Sequence, residues 1–297
     1  MKNVVITGGT GLVGDVLCKA LHEKGYSISI ISRSKNDVSP YQFYSWDKLD
    51  QALKNANYII HLAGTGIVDK PWTEKRKQEI IDSRVETANT IFSILQEKKY
   101  PVNAFISSSA IGYYGIETTD KIYTETDSSS NSFLGETCRL WEDAAFQFNT
   151  LNIRTVALRI GIVLSTKGGA LPEMDKPIRW GFGAPLGSGK QFIPWIHIQD
   201  LANMFVFALE NEEMNGAFNA VGVEHINNKD FIKTIAKVLH KPLWLPNVPS
   251  FILKIILGSR AQLVLQGSRV SADKILSKGF SFHFKKLEQA LKNLYSK

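Results

Sequence analysis

The sequence predicts an α/β protein: a doubly wound parallel sheet with a smaller α+β lobe at its C-terminal end. Three observations predict it. Short β-rich runs alternate with longer amphipathic stretches from Asn3 to Ile160. A glycine-rich turn, Thr7–Gly14, joins the first apolar run to the first amphipathic stretch. The pattern then changes after Leu164, where glycine and proline crowd residues 165–194. Such alternation implies a parallel sheet between two helical layers.

Taken in order, Asn3–Thr7 is a compact apolar strand. In Leu12–Lys24, Leu12, Val13, Val16, Leu17, Ala20 and Leu21 recur at helical spacing, and Gly25 stops the helix. Ser27–Ile31 is the second strand, Lys48–Asn55 a short helix and Tyr58–Leu62 a buried strand. Thr73–Lys98 is a long helix with Ile80, Ile81, Val85, Ala88, Ile91, Phe92 and Leu95 along one face. Val102–Ser107 is a strand, Gly135–Asn149 a helix and Thr155–Ile160 a strand. Residues 165–194 form a long structured loop of the kind that carries function. Helices return at Gln199–Glu210 and Lys229–Leu239, and Leu243 onward forms a small lobe. The expected organisation is a nucleotide-binding domain over 1–165, joined by 195–222. Residues 166–194 and 223–297 form the substrate-side loop and C-terminal lobe.

The chain's 297 residues are 44% hydrophobic and 21% charged, which excludes disordered and low-complexity classes. Two cysteines, Cys18 and Cys138, exclude a disulfide scaffold and point to the cytoplasm. The six histidines form no metal-ligand spacing, so no metal is expected. No apolar run approaches the ~20 residues of a membrane span, and the start lacks a signal peptide's apolar stretch. The net charge of +7 is uneven: residues 221–297 hold 13 Lys/Arg against 4 Asp/Glu. These basic residues are scattered and no nucleic-acid motif accompanies them, so they read as a solvated face, or as a lobe facing an anionic substrate.

Gly8, Gly11 and Gly14 stand three apart in a turn that follows a strand and opens a helix. Such a turn lets backbone approach a pyrophosphate, which rests on the helix N-terminus, while Gly14 lets helix and sheet pack closely. No Gly-Lys-Ser/Thr follows, which excludes a Walker-type loop; Gly187-Ser188-Gly189-Lys190 lacks the upstream glycine of one. After the second strand comes Ser32-Arg33 with no acid at the ribose position. An arginine there suits a 2′-phosphate, which makes NADP(H) the expected cofactor.

Thr7–Gly14, His61-Leu62-Ala63-Gly64, Ser107–Ala110 with Tyr114-Gly115, and Leu158–Gly161 together resemble the extended short-chain dehydrogenase/reductases. Trp195–Asp200, Gly187–Gln191, Leu265–Val270 and Gly279–Phe282 resemble more closely an atypical epimerase-like branch, loosely labelled cell-division-inhibitor-related, which has its own C-terminal module. The resemblance implies a Rossmann domain with a lobe over the nicotinamide end of the cofactor. It implies cofactor contacts at Gly8, Thr10, Gly11, Leu12, Val13 and Gly14, with Ser32 and Arg33 at the adenosine phosphate and Leu62 and Ala63 lining the nucleotide. Glu79, Arg84, Ile162 and Val163 are further cofactor candidates.

Relatives of this kind use a Ser, Tyr and Lys. Aligning Glu142 with the usual helix glutamate puts Leu134 at the tyrosine and Cys138 at the lysine, and neither side chain performs that chemistry. Tyr44 and Lys48 have the Tyr-x-x-x-Lys spacing but precede the wrong strand. Ser109 is expected to polarise a substrate oxygen, and Tyr113 to give the proton. Cys138 reads as a buried filler, His197 as an anchor near the substrate and Glu136 as a helix-start acid. The expected function is an NADP(H)-dependent oxidoreductase or epimerase acting on a small, anionic or sugar-nucleotide-like substrate by an atypical mechanism. The alternative is an NADP(H)-binding regulator or sensor without catalysis. The expected partner is a small molecule, with neither nucleic acid nor membrane; a homodimer stays open.

Overall fold

A computed structural model describes residues 2–32, 40–115 and 117–296. Strand β1 (Asn3–Thr7) leads through α1 (Leu12–Glu23) to β2 (Ser27–Ile31), β3 (Gln42–Tyr44), α2 (Leu49–Leu53) and β4 (Tyr58–His61). Then come α3 (Glu74–Lys98), β5 (Ala104–Ala110), β6 (Ile122–Tyr123), α4 (Phe133–Phe146), β7 (Arg154–Ile160) and β8 (Ile162–Leu164). Helix α5 (Ala170–Arg179), β9 (Trp195–His197), α6 (Ile198–Glu210), β10 (Gly216–Ala220) and α7 (Asn228–Val238) follow. The C-terminal part holds α8 (Ser250–Leu257), α9 (Gln262–Leu265), β11 (Arg269–Val270), α10 (Asp273–Ser277) and α11 (Leu287–Tyr295).

Seven strands form one parallel sheet in the order β10-β7-β5-β4-β1-β2-β3. The strand order reverses between β1 and β4, the place where open α/β sheets bind ligands at their carboxyl ends. Alternation along each strand divides the core. Val4, Ile6, Ile60 and Ile106 face a layer that includes Leu17, Leu21, Leu201 and Phe205 of α1 and α6. Val5, Ile59 and Phe105 face Ile91, Leu95 and Phe148 on the other side. Both faces are covered, so the strands read as near-continuous apolar runs.

Local signals set the helix ends. Thr73 caps α3 by accepting from the Arg76 amide, and Ser132 caps α4 by accepting from Gly135. The expected helix at 48–55 is a 3-10 turn, Trp46–Lys48, followed by α2. Strand β5 begins two residues later than expected and runs to Ala110, which takes Ser109 into the sheet. Two strands of this sheet escape the sequence pattern, as do the short pairs β6–β11 and β8–β9 outside it. β3 has only three residues, and β10 (Gly-Ala-Phe-Asn-Ala) offers one large apolar side chain.

The glycine- and proline-rich stretch contains α5. Pro172 sits in its first turn, where no amide partner is needed, and Pro177 lies near its end. Helices α5, α7 and α11 share a satellite core built on Leu171, Ile178, Phe231, Ile235 and Leu291. The Trp195–Asp200 segment ties this lobe to the sheet domain. Asp200 is buried and accepts from the amides of His283 and Phe284. The His197 ring caps α6 through the Gln199 amide and stacks on Phe284 at 3.9 Å.

Candidate functional site

The glycine turn lies at the carboxyl end of β1, at the strand-order reversal. Gly11 is the N-cap of α1 and has no side chain to cap it, so the first amides of the helix face outward. A Cβ on Gly14 would lie 2.6 Å from the Gly8 carbonyl oxygen, and one on Gly8 would lie 2.9 Å from the Leu62 carbonyl. Gly8 also has φ +74°. The backbone of the turn therefore packs directly on α1 and on the end of β4, leaving a cradle that side chains would fill. That is what a nicotinamide dinucleotide's pyrophosphate requires.

The other expected cofactor residues divide into two groups. Val13, Leu62 and Val163 pack on the main core, and Leu12, Ile162 and Val163 on the satellite core, so Val163 joins the two walls. A Cβ on Gly169 would touch Leu12 at 3.4 Å, which sets the loop before α5 over the glycine turn. Glu79 and Arg84 instead serve the loop after Ala63. Glu79 pairs with Arg76 at 3.0 Å, and Arg76 donates to the Gly66 carbonyl. Arg84 is buried, donates to the carbonyls of Ile80 and Thr65 and lies 4.9 Å from the Trp141 ring. A Cβ on Gly64 would sit 3.0 Å from its guanidinium carbon. Burial pulls Arg84 down to about 10, opposed in part by Cys138 and aided less by the charge of Arg76, so it remains a cation at neutral pH. Ser32 follows β2 directly, its amide donating to the Tyr44 carbonyl. Arg33 lies outside the described residues.

The carboxyl end of β5 carries the serine run. Each hydroxyl donates to a protein acceptor: Ser107 to the Ser108 carbonyl, Ser108 to the His61 carbonyl and Ser109 to Glu142 Oε1 at 2.7 Å. A hydroxyl has one proton. In this arrangement Ser109 has none left for a substrate oxygen, which departs from the role expected of it.

Glu142 is the centre of a buried network. Arg159 donates to it twice, Nε to Oε1 and Nη2 to Oε2, each at 2.8 Å. Arg159 also donates to Tyr114 Oη, which is 2.6 Å from Asn219 Oδ1. Burial works to lower the Arg159 guanidinium, but its bonds and charge pairing with Glu142 outweigh that and hold it above its ordinary value. Burial pushes the Tyr114 phenol up. The Arg159 guanidinium carbon stands 3.5 Å from the Tyr113 ring centroid. Among the described residues the Tyr113 hydroxyl has no hydrogen-bond partner, and Tyr113 is half-buried.

Leu134 and Cys138 lie one turn apart on the buried face of α4, against the turn that follows β5. A Cβ on Gly112 would meet Leu134 Cβ at 3.3 Å and Cys138 Sγ at 3.7 Å. Burial pushes the Cys138 thiol up to about 12, so it is no nucleophile at neutral pH. Glu136 is on the exposed side, paired with Arg139. Tyr44 and Lys48 are at the far edge, with β4, β1 and β2 between β3 and β5. No group of three metal-ligating side chains occurs among the described residues.

Residues 4–221 match the model of the NAD dependent epimerase/dehydratase family, and residues 248–294 match a domain of unknown function, DUF1731. The chain is 36% identical over 299 residues to epimerase family protein YfhF of Bacillus subtilis, covering 98% of this chain and 97% of that one. The crystal structure of human epimerase family protein SDR39U1 (isoform 2) with NADPH superposes with a TM-score of 0.90 at 30% identity, covering 99% of each chain. UDP-N-acetylglucosamine 4-epimerase from Methanobrevibacter ruminantium shares the fold at a TM-score of 0.81 and 19% identity, over 99% of this chain and 97% of that one.

Proposed function

Because the chain belongs to the NAD dependent epimerase/dehydratase family, we propose that it binds NADP(H) in the cleft over β1 and β4 and is an oxidoreductase or epimerase of a small, anionic or sugar-nucleotide-like substrate. The observation that carries this reading is the glycine cradle at an uncapped helix start, at the point where strand order reverses. The human relative crystallised with NADPH supports the cofactor choice, as does Arg33 after β2.

The α1 amides would hold the pyrophosphate, Ser32 and Arg33 the adenosine 2′-phosphate, and Leu62, Ala63, Ile162 and Val163 the walls. Bound NADP(H) supplies or accepts a hydride at the substrate carbon. Leu134 and Cys138, at the positions the family fills with tyrosine and lysine, move no proton. Tyr113 is the proton donor in this reading, because its hydroxyl has no partner among the described residues and the residue is half-buried just past the end of β5. Arg159, stacked beneath its ring, holds the ring in place. Ser109 is a positioning residue that holds Glu142, and through it Arg159. The buried free thiols of Cys18 and Cys138 support a cytoplasmic setting.

One observation favours a second reading, NADP(H) binding without turnover: all three serine protons of β5 are already given to protein acceptors. Incubation with NADPH or NADP+ and a panel of carbonyl and sugar-nucleotide metabolites separates the two. Net oxidation or reduction of the cofactor, or epimerisation of any panel member seen by NMR, supports the enzyme. Tight cofactor binding with none of these supports the sensor.

A further inference from the structure

Exposed apolar side chains are concentrated on the substrate-side loop and C-terminal lobe. Seven of the eleven large exposed hydrophobics among the described residues fall on two stretches, 180–182 and 244–256. Trp180 and Phe182 flank Gly181, whose carbonyl accepts from Trp244 Nε1 at 3.0 Å, so these three aromatic rings share one corner. The chain from Trp244 then runs beside 185–187, Val248 bonding both Pro185 and Gly187, and enters α8. That helix turns Phe251, Ile252, Ile255 and Ile256 outward, Ile255 with 79% of its surface in water, and buries only Leu253. Apolar exposure of this extent marks an interaction surface.

The stretches that carry it are basic. Residues 176–199 and 231–272 contain nine Lys/Arg and no Asp or Glu; Arg179, Lys233 and Lys237 pair with acids outside these stretches, and the other six leave an excess of positive charge. A second copy would bring like charge against like charge, whereas an anionic surface complements it. The other side of α8 adds a further feature. Ser250 and Lys254, with Ser188, Gln262 and Gln266, line an open recess of about 610 Å³. One short helix thus has a protruding apolar stripe beside a polar, cationic recess of headgroup size. Aromatic and branched apolar groups among lysines and arginines suit a bilayer interface.

We propose that this face docks on the surface of an anionic phospholipid bilayer, α8 lying in the interface and the Lys254 recess taking a lipid phosphate. The sequence expectation of no membrane partner considered spanning segments. No helix among the described residues is long and apolar enough to span, and surface docking needs none. The proposal is independent of the cofactor reading.

The test is co-sedimentation of the full chain with vesicles of phosphatidylcholine alone or of equal parts phosphatidylcholine and phosphatidylglycerol, alongside light scattering without lipid. Binding to the mixed vesicles is expected to exceed binding to the neutral ones by about 10-fold or more and to fall in high salt. Ile255→Asp with Ile256→Asp should abolish it and Lys254→Glu should weaken it, with circular dichroism and NADPH affinity unchanged. Absence of binding to either vesicle overturns the proposal, as does binding that ignores the isoleucine substitutions. Lipid-free self-association broken by those substitutions also overturns it, because a second copy would then cover the face.

Discussion

Ser109 and Glu142 are joined by a 2.7 Å hydrogen bond that commits the serine proton to a buried carboxylate. Glu142 in turn accepts twice from Arg159, whose guanidinium lies against the Tyr113 ring. The serine run and the tyrosine after it therefore differ: the three serine hydroxyls are given to protein acceptors, and the Tyr113 hydroxyl has no partner among the described residues.

Substitution separates the two. Ser109→Ala should cost about 1–3 kcal/mol of stability, the scale of a buried hydrogen bond to a charged group. Tyr113→Phe should lower turnover by ~10²-fold, the scale of a positioned proton donor, with little change in stability. Urea unfolding and NADPH oxidation, measured on both variants, check the pair of outcomes. A larger turnover loss in Ser109→Ala than in Tyr113→Phe would return the serine to a direct role at the substrate oxygen.

Glu142→Gln leaves the Arg159 charge buried without its counter-charge. The expected loss is about 3–5 kcal/mol, with the double variant Glu142→Gln/Arg159→Met regaining part of it. Equal stabilities of the single variant and the parent in denaturant titrations would refute the central place given to this pair.

The glycine cradle makes a steric prediction. A methyl at Gly14 would stand 2.6 Å from the Gly8 carbonyl oxygen, so Gly14→Ala should move α1 off the turn and lower NADPH affinity by about 10-fold or more. Fluorescence titration of NADPH measures this directly. Gly25→Ala, a control with open space around it but φ +83°, should cost some stability and leave affinity near the parent value.

His61 links stability to acid. Burial, then the charge of Arg84, lowers its imidazole from 6.5 to about 3. Between those values the unfolded chain takes a proton that the folded chain excludes. Its contribution to stability is therefore full above pH 6.5 and falls as pH drops toward 3, by up to about 1.4 kcal/mol per pH unit. Urea midpoints across that window should show this slope, and His61→Asn should reduce it. An unchanged slope in the variant would mean that other groups carry the acid sensitivity.

The sheet domain was legible in sequence where strands are apolar on both faces and helices carry a stripe, as in Val4–Ile6 or Ile80–Leu95. β10 was not, because Gly216, Ala217 and Asn219 pack by being small or by bonding Tyr114 and Ser271, which periodicity does not register. The helix within 165–194 was hidden by Pro172, which the first turn tolerates, and by Pro177, which costs the helix an amide hydrogen bond near its end. The glycine turn was readable because its spacing is steric. The committed proton of Ser109 was not, since it depends on Glu142 reaching across from α4, 33 residues on. Arg76 left no mark in the sequence reading. A buried helix arginine beside Glu79 is its only signal, and its bond to Gly66 emerges only from the fold.

The proposed preference for NADP(H) is tested most directly by calorimetric titration of the unmodified chain with NADPH and with NADH. NADPH should bind more tightly by ~10-fold or more, on the order of 1–3 kcal/mol for charged hydrogen bonds to the 2′-phosphate, and Arg33→Asp should remove the difference. Equal affinities for the two cofactors, or no heat from either, would contradict it.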